Sequence, residues 1–353
     1  MLGKLLIAMA MVAFSVSDCA EGAEVKIEGV LKTVNAEERT IILERTTNKG
    51  AKEVELEVAT EAGDLSSLKE GDEVTITYDS KLEVVTQIIS AQAESIAPQI
   101  VALTELGTAG HPWVTKNGLT IFFTVKESQG LATIWTAKRE SVGTLFKDKK
   151  QVSLGQDNTF SEDGLEGIVF LPEEGKGTLQ SIKRKSLTED FGRPTLIKEL
   201  GWKQLGDRTT VTSPGLSADR LELYCEVSGK GPCVSTRSKV SDPWSKPKKL
   251  PIVSGGNRGQ RFPYVTDDGL WLFCTDRRVG DPPPANIALY GRAKKTEPFV
   301  FKGHVKAGDT SVMGEFPRYI ASTRELFFVK TTDNRSAIYV IKNFDPTNVT
   351  VEE

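Results

Sequence analysis

The sequence is poor in the residues that build metal centres and catalytic dyads. Its 353 residues include only 2 histidines and 4 cysteines. There is no Cys-x-x-Cys spacing and no Cys/His cluster, so no zinc site of recognised spacing is written into it. The two histidines, His111 and His304, lie far apart along the chain. No glycine-rich phosphate loop precedes a helical pattern, and Gly215-Leu216-Ser217 lacks the flanking glycines of a nucleophile elbow. Charge of one sign is missing as well. Lys and Arg number 45 against 48 Asp and Glu, a net charge of −3 with both signs mixed throughout. That excludes the one-sided basic field that nucleic-acid binding needs. The lysine-rich stretches 147–150 and 246–249 read as solvated loops. No metal, cofactor or nucleic-acid partner is therefore expected.

What is present points to an exported β-protein. Lys4 is followed by an apolar run from Leu5 to Val16 and then by small and polar residues to Ala23. This is the layout of a secretory signal over 1–23, and the run is too short to span a bilayer comfortably. A periplasmic or secreted location follows. Cys19 opens a second reading, a lipid anchor, although Asp18 stands where lipoprotein signals carry Gly, Ala or Ser. No later stretch is apolar enough to cross a membrane. Cys225 and Cys233 flank the turn Ser228-Gly229-Lys230-Gly231, which makes them candidates for a hairpin disulfide. Cys274 then remains as a buried small hydrophobe.

Residues 24–92 alternate apolar and polar side chains in five short stretches separated by polar turns. This is the pattern of half-buried antiparallel strands, and it predicts a small OB-like or SH3-like barrel. With Tyr78 as its one aromatic residue and no Met or His, the unit reads as a structural or docking module. A linker over 93–98 follows.

From 99 to 353 the chain repeats itself. Five phrases share one layout: strand, two-residue turn, apolar strand, polar loop, strand. The turns are Asn117-Gly118, Asp163-Gly164, Asp219-Arg220, Asp268-Gly269 and Thr323-Arg324, spaced by roughly 50 residues. Four residues past each turn lies a large apolar side chain: Phe122, Ile168, Tyr224, Phe273 or Phe328. Arg139 and Phe146, Arg184 and Phe191, Arg237 and Trp244, and Arg292 and Phe299 share one seven-residue spacing. The aromatic member is expected to anchor the loop between third and fourth strands, with the arginine at the outer rim. A four-stranded sheet cannot cover both its faces alone, and radial packing of such sheets does so. The acidic residues in Ser161-Glu162-Asp163-Gly164 and Thr266-Asp267-Asp268-Gly269 are turn chemistry before they are metal ligands. Leu103-Thr104-Glu105-Leu106-Gly107 matches Ile197-Lys198-Glu199-Leu200-Gly201 at the end of the second phrase. The stretch Gln99–Gly107 is thus expected to supply the last blade's fourth strand, with Asn348–Glu353 as the competing filler. The prediction is an all-β protein, a five-bladed β-propeller preceded by a small β-barrel.

Two phrases carry a family resemblance. Pro214-Gly215-Leu216-Ser217-Ala218-Asp219-Arg220-Leu221 and Phe262-Pro263-Tyr264-Val265-Thr266-Asp267-Asp268-Gly269 resemble the WD40-like repeats of TolB-type exported bacterial propellers. Ser241-Asp242-Pro243-Trp244 is similar to a loop common in that family. The resemblance covers about residues 100–345 and implies a propeller in an envelope or extracellular compartment, without implying an activity.

Ligands of propellers gather at the mouth of the central channel, near the starts of the innermost strands. The positions expected there are His111, Asp157, Thr212, Arg261 and Glu315. This mixed polar set suits recognition of a protein or an envelope glycan without catalysis. The alternative is a glycan-active hydrolase in which carboxylates such as Asp157 and Glu315 converge.

Overall fold

A computed structural model describes residues 24–47, 50–62, 65, 68–79, 82–90, 98–126, 132–173, 176–206, 209–253, 258–278, 285–308, 310–333 and 335–349. The expected signal segment with Cys19, residues 93–97 of the linker and residues 350–353 of the competing edge filler lie outside the described residues. No described helix is long and apolar enough to cross a membrane. The chain divides into two compact units, Met1–Ala91 and Gln92–Glu353.

The first unit is a single antiparallel sheet. Its strands β1 (Glu24–Asn35), β2 (Thr40–Thr47), β3 (Gly50–Glu57), β4 (Glu73–Asp79) and β5 (Val84–Ser90) lie in the order β3-β2-β1-β4-β5. The long β1 serves two partners, pairing with β4 over Glu24–Val30 and with β2 over Val30–Asn35. A register shift between Leu31 and Thr33 bends it where it changes partner. Gly29 sits at the bend, where a Cβ would lie 2.6 Å from the Glu44 carbonyl oxygen. No other residue fits there without moving the backbone. The sheet coils far enough for its two edge strands to meet again, through a parallel bridge between Val58 and Val85. Ile27, Leu31, Ile41, Leu43, Leu56, Val74 and Ile76 fill the inside.

The second unit is a β-propeller of five sheets. The first contains Gly110–Val114, Thr120–Lys126, Ala132–Lys138 and Lys147–Leu154. The second contains Gln156–Phe160, Glu166–Glu173, Lys176–Lys183 and Thr195–Leu196, and the third Val211–Leu216, Glu222–Val227, Gly231–Thr236 and Lys248–Lys249. The fourth contains Arg258–Val265, Trp271–Arg278, Asn286–Gly291 and Phe299–His304, with Ile252–Val253 added in parallel at its outer edge. The fifth joins Glu315–Ile320, Glu325–Thr332 and Arg335–Lys342 to Gln99–Ala102. Each innermost strand touches the innermost strand of the next sheet, and the fifth touches the first, so the ring is closed. Closure uses the early segment: Gln99, Ile100, Val101 and Ala102 stand opposite Lys342, Ile341, Val340 and Tyr339. A short 3-10 turn follows this strand at Thr104–Leu106, as one follows the outer strand of the second sheet at Lys198–Leu200.

Each second strand is covered on both faces by neighbouring sheets, which is why it reads as a nearly continuous apolar run rather than an alternation. Phe122, Ile168, Tyr224, Phe273 and Phe328 are all buried there. The five predicted turns share one conformation. Their second residues, Gly118, Gly164, Arg220, Gly269 and Arg324, all have positive φ, between 51° and 73°. Three are glycine, which takes this conformation freely, and two arginines adopt it under strain. In the first four turns a Ser or Thr hydroxyl meets the Asn or Asp side chain two residues on, as in Ser217 to Asp219 at 2.6 Å. That same side chain accepts the backbone N–H two residues further on, for example Leu221 N–H to Asp219 at 2.9 Å.

The arginine–aromatic spacing has a different physical cause from the one expected. Each arginine folds back onto the inner hairpin rather than lying at an outer rim. Its Nε donates to the carbonyl of the positive-φ turn residue: Arg139 to Gly118, Arg184 to Gly164, Arg237 to Arg220 and Arg292 to Gly269, at 2.7–2.8 Å. The aromatic seven residues on then covers the guanidinium, with ring centres 4.9, 4.6, 4.2 and 4.1 Å away in chain order. One side chain thereby ties the turn between strands one and two to the loop between strands three and four.

The two cysteines of the expected hairpin disulfide meet without a bond between them in this structure. Cys225 and Cys233 stand directly opposite each other in the third sheet, yet both thiols are free, as is that of Cys274. The strand ladder already holds this hairpin. Burial raises both thiols' pKa, which suppresses the thiolate that disulfide chemistry requires.

Candidate functional site

The five innermost strands converge on a cavity of about 430 Å³, part of it open to solvent. Its wall is built from one tripeptide per sheet: His111-Pro112-Trp113, Ser213-Pro214-Gly215, Phe262-Pro263-Tyr264 and Phe316-Pro317-Arg318, with Asp157-Asn158 as the second sheet's version. The first residue of each has positive φ: His111 49°, Asp157 48°, Ser213 54°, Phe262 53° and Phe316 55°. At the same place every inner strand shifts register against its neighbour. A left-handed bulky residue costs about 1–3 kcal/mol and often marks a functional site. Here it recurs in all five sheets whatever the side chain, so it belongs to the architecture. It is the bulge that turns each strand's start toward the axis.

The bulge decides which expected residues reach the site. His111 and Asp157 line the cavity and touch, with His111 Nδ1 2.5 Å from Asp157 Oδ1. Thr212, Arg261 and Glu315 do not line it; each lies one residue before the bulge. Ser213, Phe262 and Phe316 take their places. Arg261 instead pairs with Glu226 at 3.1 Å. The signal for the correct register was available in the sequence: a proline follows the bulge residue in four of the five phrases.

The cavity has two unlike halves. On one side the rings of His111, Phe316 and Phe262 lie in series, each pair tilted by 39°, with centres 3.6 and 3.9 Å apart. On the other side stand Asp157, Asn158 and Ser213, all buried. Burial by itself raises the Asp157 pKa. Its contact with His111, the Ser213 N–H at 3.2 Å and the more distant Lys126 outweigh this, holding the carboxyl below its ordinary value. Deeper in, the Arg318 guanidinium lies between the Trp113 and Tyr264 rings, 5.0 and 4.6 Å from their centres. It donates to the Val114 carbonyl at 3.2 Å and faces Glu162 at 3.5 Å. Burial pushes the Glu162 pKa up in spite of that partner.

Chemically, the cavity carries one carboxylate, Asp157, and both its oxygens are engaged. A glycosidase needs a pair of carboxyl groups flanking the scissile bond. Among the described residues no group of three or more His, Cys, Asp or Glu is placed to hold a metal ion.

No protein-family model and no curated protein sequence matches this chain. Among solved structures, it is similar to TolB from Acinetobacter baumannii, at 14% identity over 76% of this chain and 59% of that one, with a TM-score of 0.38. It thus spans 59% of that protein's length. A gluconolactonase of Xanthomonas campestris is matched at 8% identity over 71% of this chain and 92% of that one, TM-score 0.39. The propeller domain of the trilobed protease of Pyrococcus furiosus is matched at 10% identity over 92% and 99%, TM-score 0.29. Likeness at this level carries no argument about activity. The ring of sheets stands on its own strand pairing.

Proposed function

We propose that this chain is a non-catalytic binding protein that recognises a protein or an envelope glycan through the mouth of its propeller channel. The observation that carries this reading is the two-sided cavity. An aromatic half and a polar half are held rigid by strand bulges, which is the make-up of a recognition pocket. The engaged state of Asp157 and the position of Glu315 outside the cavity weigh against the hydrolase reading. We read the N-terminal unit as a small OB-like or SH3-like barrel with a structural or docking role, and the whole as a periplasmic or secreted protein. A test is to compare the full chain with its Phe316→Ala variant for retention on immobilised envelope glycans and envelope proteins. Retention lost in the variant supports the reading. Equal retention moves the binding surface elsewhere, and sugar release dependent on Asp157 would revive the hydrolase.

A further inference from the structure

Among the described residues, four buried polar side-chain atoms of residues that line the cavity have neither a hydrogen-bond nor an ion-pair partner: Trp113 Nε1, Asn158 Oδ1, Ser213 Oγ and Arg318 Nε. All four residues are more than nine-tenths buried. Leaving such an atom without a partner costs about 1–3 kcal/mol, so four of them on residues around one cavity call for polar partners there. Their chemistry is specific. Trp113 and Arg318 offer N–H donors, and Ser213 offers a hydroxyl that both donates and accepts. Asn158 offers an acceptor, because its amide nitrogen is committed to the His111 carbonyl at 3.0 Å, which fixes the amide's orientation.

Charge narrows the ligand class. The lining charges come with opposite partners, His111 beside Asp157 and Arg318 beside Glu162. An ionic ligand would have to break one of these pairs, whereas a neutral one leaves both intact. The remaining wall is apolar: Phe262, Phe316 and four prolines, which present C–H groups and no N–H. A ligand that meets such a wall and also satisfies separate donors and acceptors needs C–H faces and several hydroxyls, each able to give and take a hydrogen bond. Resting on the binding reading above, we infer that the channel cavity takes a neutral sugar ring. It would enter along the propeller axis as the terminal residue of a glycan, because five strands close the site on all sides.

The test uses the full chain and saturation-transfer NMR with the methyl glycosides of glucose, galactose, mannose and N-acetylglucosamine. Glucuronate and N-acetyl-trialanine amide serve as charged and peptide probes. At least one neutral glycoside is expected to bind, and Trp113→Phe and Ser213→Gly are each expected to weaken it about 3- to 10-fold. Ser213→Gly suits the positive φ of that position, so its loss reports the hydroxyl even if the tryptophan variant folds poorly. A glycoside that binds both variants as well as wild type overturns the inference, as does tighter binding of glucuronate or of the peptide. If no glycoside binds while Phe316-dependent retention of an envelope component persists, the sugar inference falls and the binding reading stands. If both fail, both fall.

Discussion

Removing the Glu325 carboxylate tests how the two ends of the ring are held together. Arg139 follows the third strand of the first sheet and Glu325 opens the second strand of the fifth. They form a two-pronged ion pair across the seam, Nη1 to Oε1 at 3.0 Å and Nη2 to Oε2. Their side chains are 2% and 1% exposed, so solvent does not screen them. Glu325→Leu leaves a buried guanidinium without its counter-charge and is expected to cost about 3–5 kcal/mol. Glu325→Gln keeps one acceptor but loses the charge, at about 1.5–3 kcal/mol. The double change Arg139→Met with Glu325→Leu is expected to recover most of the loss, since burying two apolar groups leaves no charge stranded. Urea unfolding followed by tryptophan fluorescence is the assay. All 5 tryptophans (113, 135, 202, 244 and 271) fall in the propeller unit, so the signal does not mix the two units. With a slope of about 2–3 kcal/mol/M, the Leu variant's midpoint should fall by about 1–2 M. A loss under about 1 kcal/mol would show that water reaches the pair and would refute the seam argument.

Three further outcomes are expected. Gly118→Ala should destabilise the propeller by about 2–4 kcal/mol, because the residue sits at φ 73° and the new methyl meets Thr323 Cγ2 at 2.8 Å and Arg139 Nη2 at 2.9 Å; the same fluorescence assay measures it. Asp157 has a native pKa below its ordinary 3.8, so its contribution to stability is present above that value and disappears as pH falls through the lower native one. Stability of Asp157→Asn should consequently fall less steeply with acid below about pH 4 than wild type, as pH-dependent urea titrations would read. Cys225, Cys233 and Cys274 should resist a thiol reagent in the native protein and react on unfolding, since burial raises all three pKa values; prompt native reaction would contradict the packed third and fourth sheets.

The repeat was legible because each of its signals is local. Asn-Gly and Asp-Gly turns, and the apolar residue four positions later, depend on backbone conformation and on burial within one sheet. The match between Leu103–Gly107 and Ile197–Gly201 disclosed ring closure for the same reason: both stretches end an outer strand with the same 3-10 turn. Three of the expected channel residues, Thr212, Arg261 and Glu315, stand one position before the residues that line the cavity. The backbone bulge that turns Ser213, Phe262 and Phe316 into the cavity depends on pairing with the second strand and has no local signature beyond the proline that follows each. His111 and Asp157 do line the cavity, and nothing local indicates that Arg318 lies between Trp113 and Tyr264, residues brought from two other phrases.

Sequence alone determined that this protein is all β, repeats about five times, and carries a two-residue turn at the start of each repeat. Those properties follow from the nearest few side chains and their own backbone. Only the tertiary structure decided that the repeated arginine bonds the turn carbonyl beneath its aromatic, and that aromatic and polar groups from five phrases enclose one cavity. Such contacts join residues tens to hundreds of positions apart, and they exist only once five sheets have packed around a common axis and set the register of each inner strand.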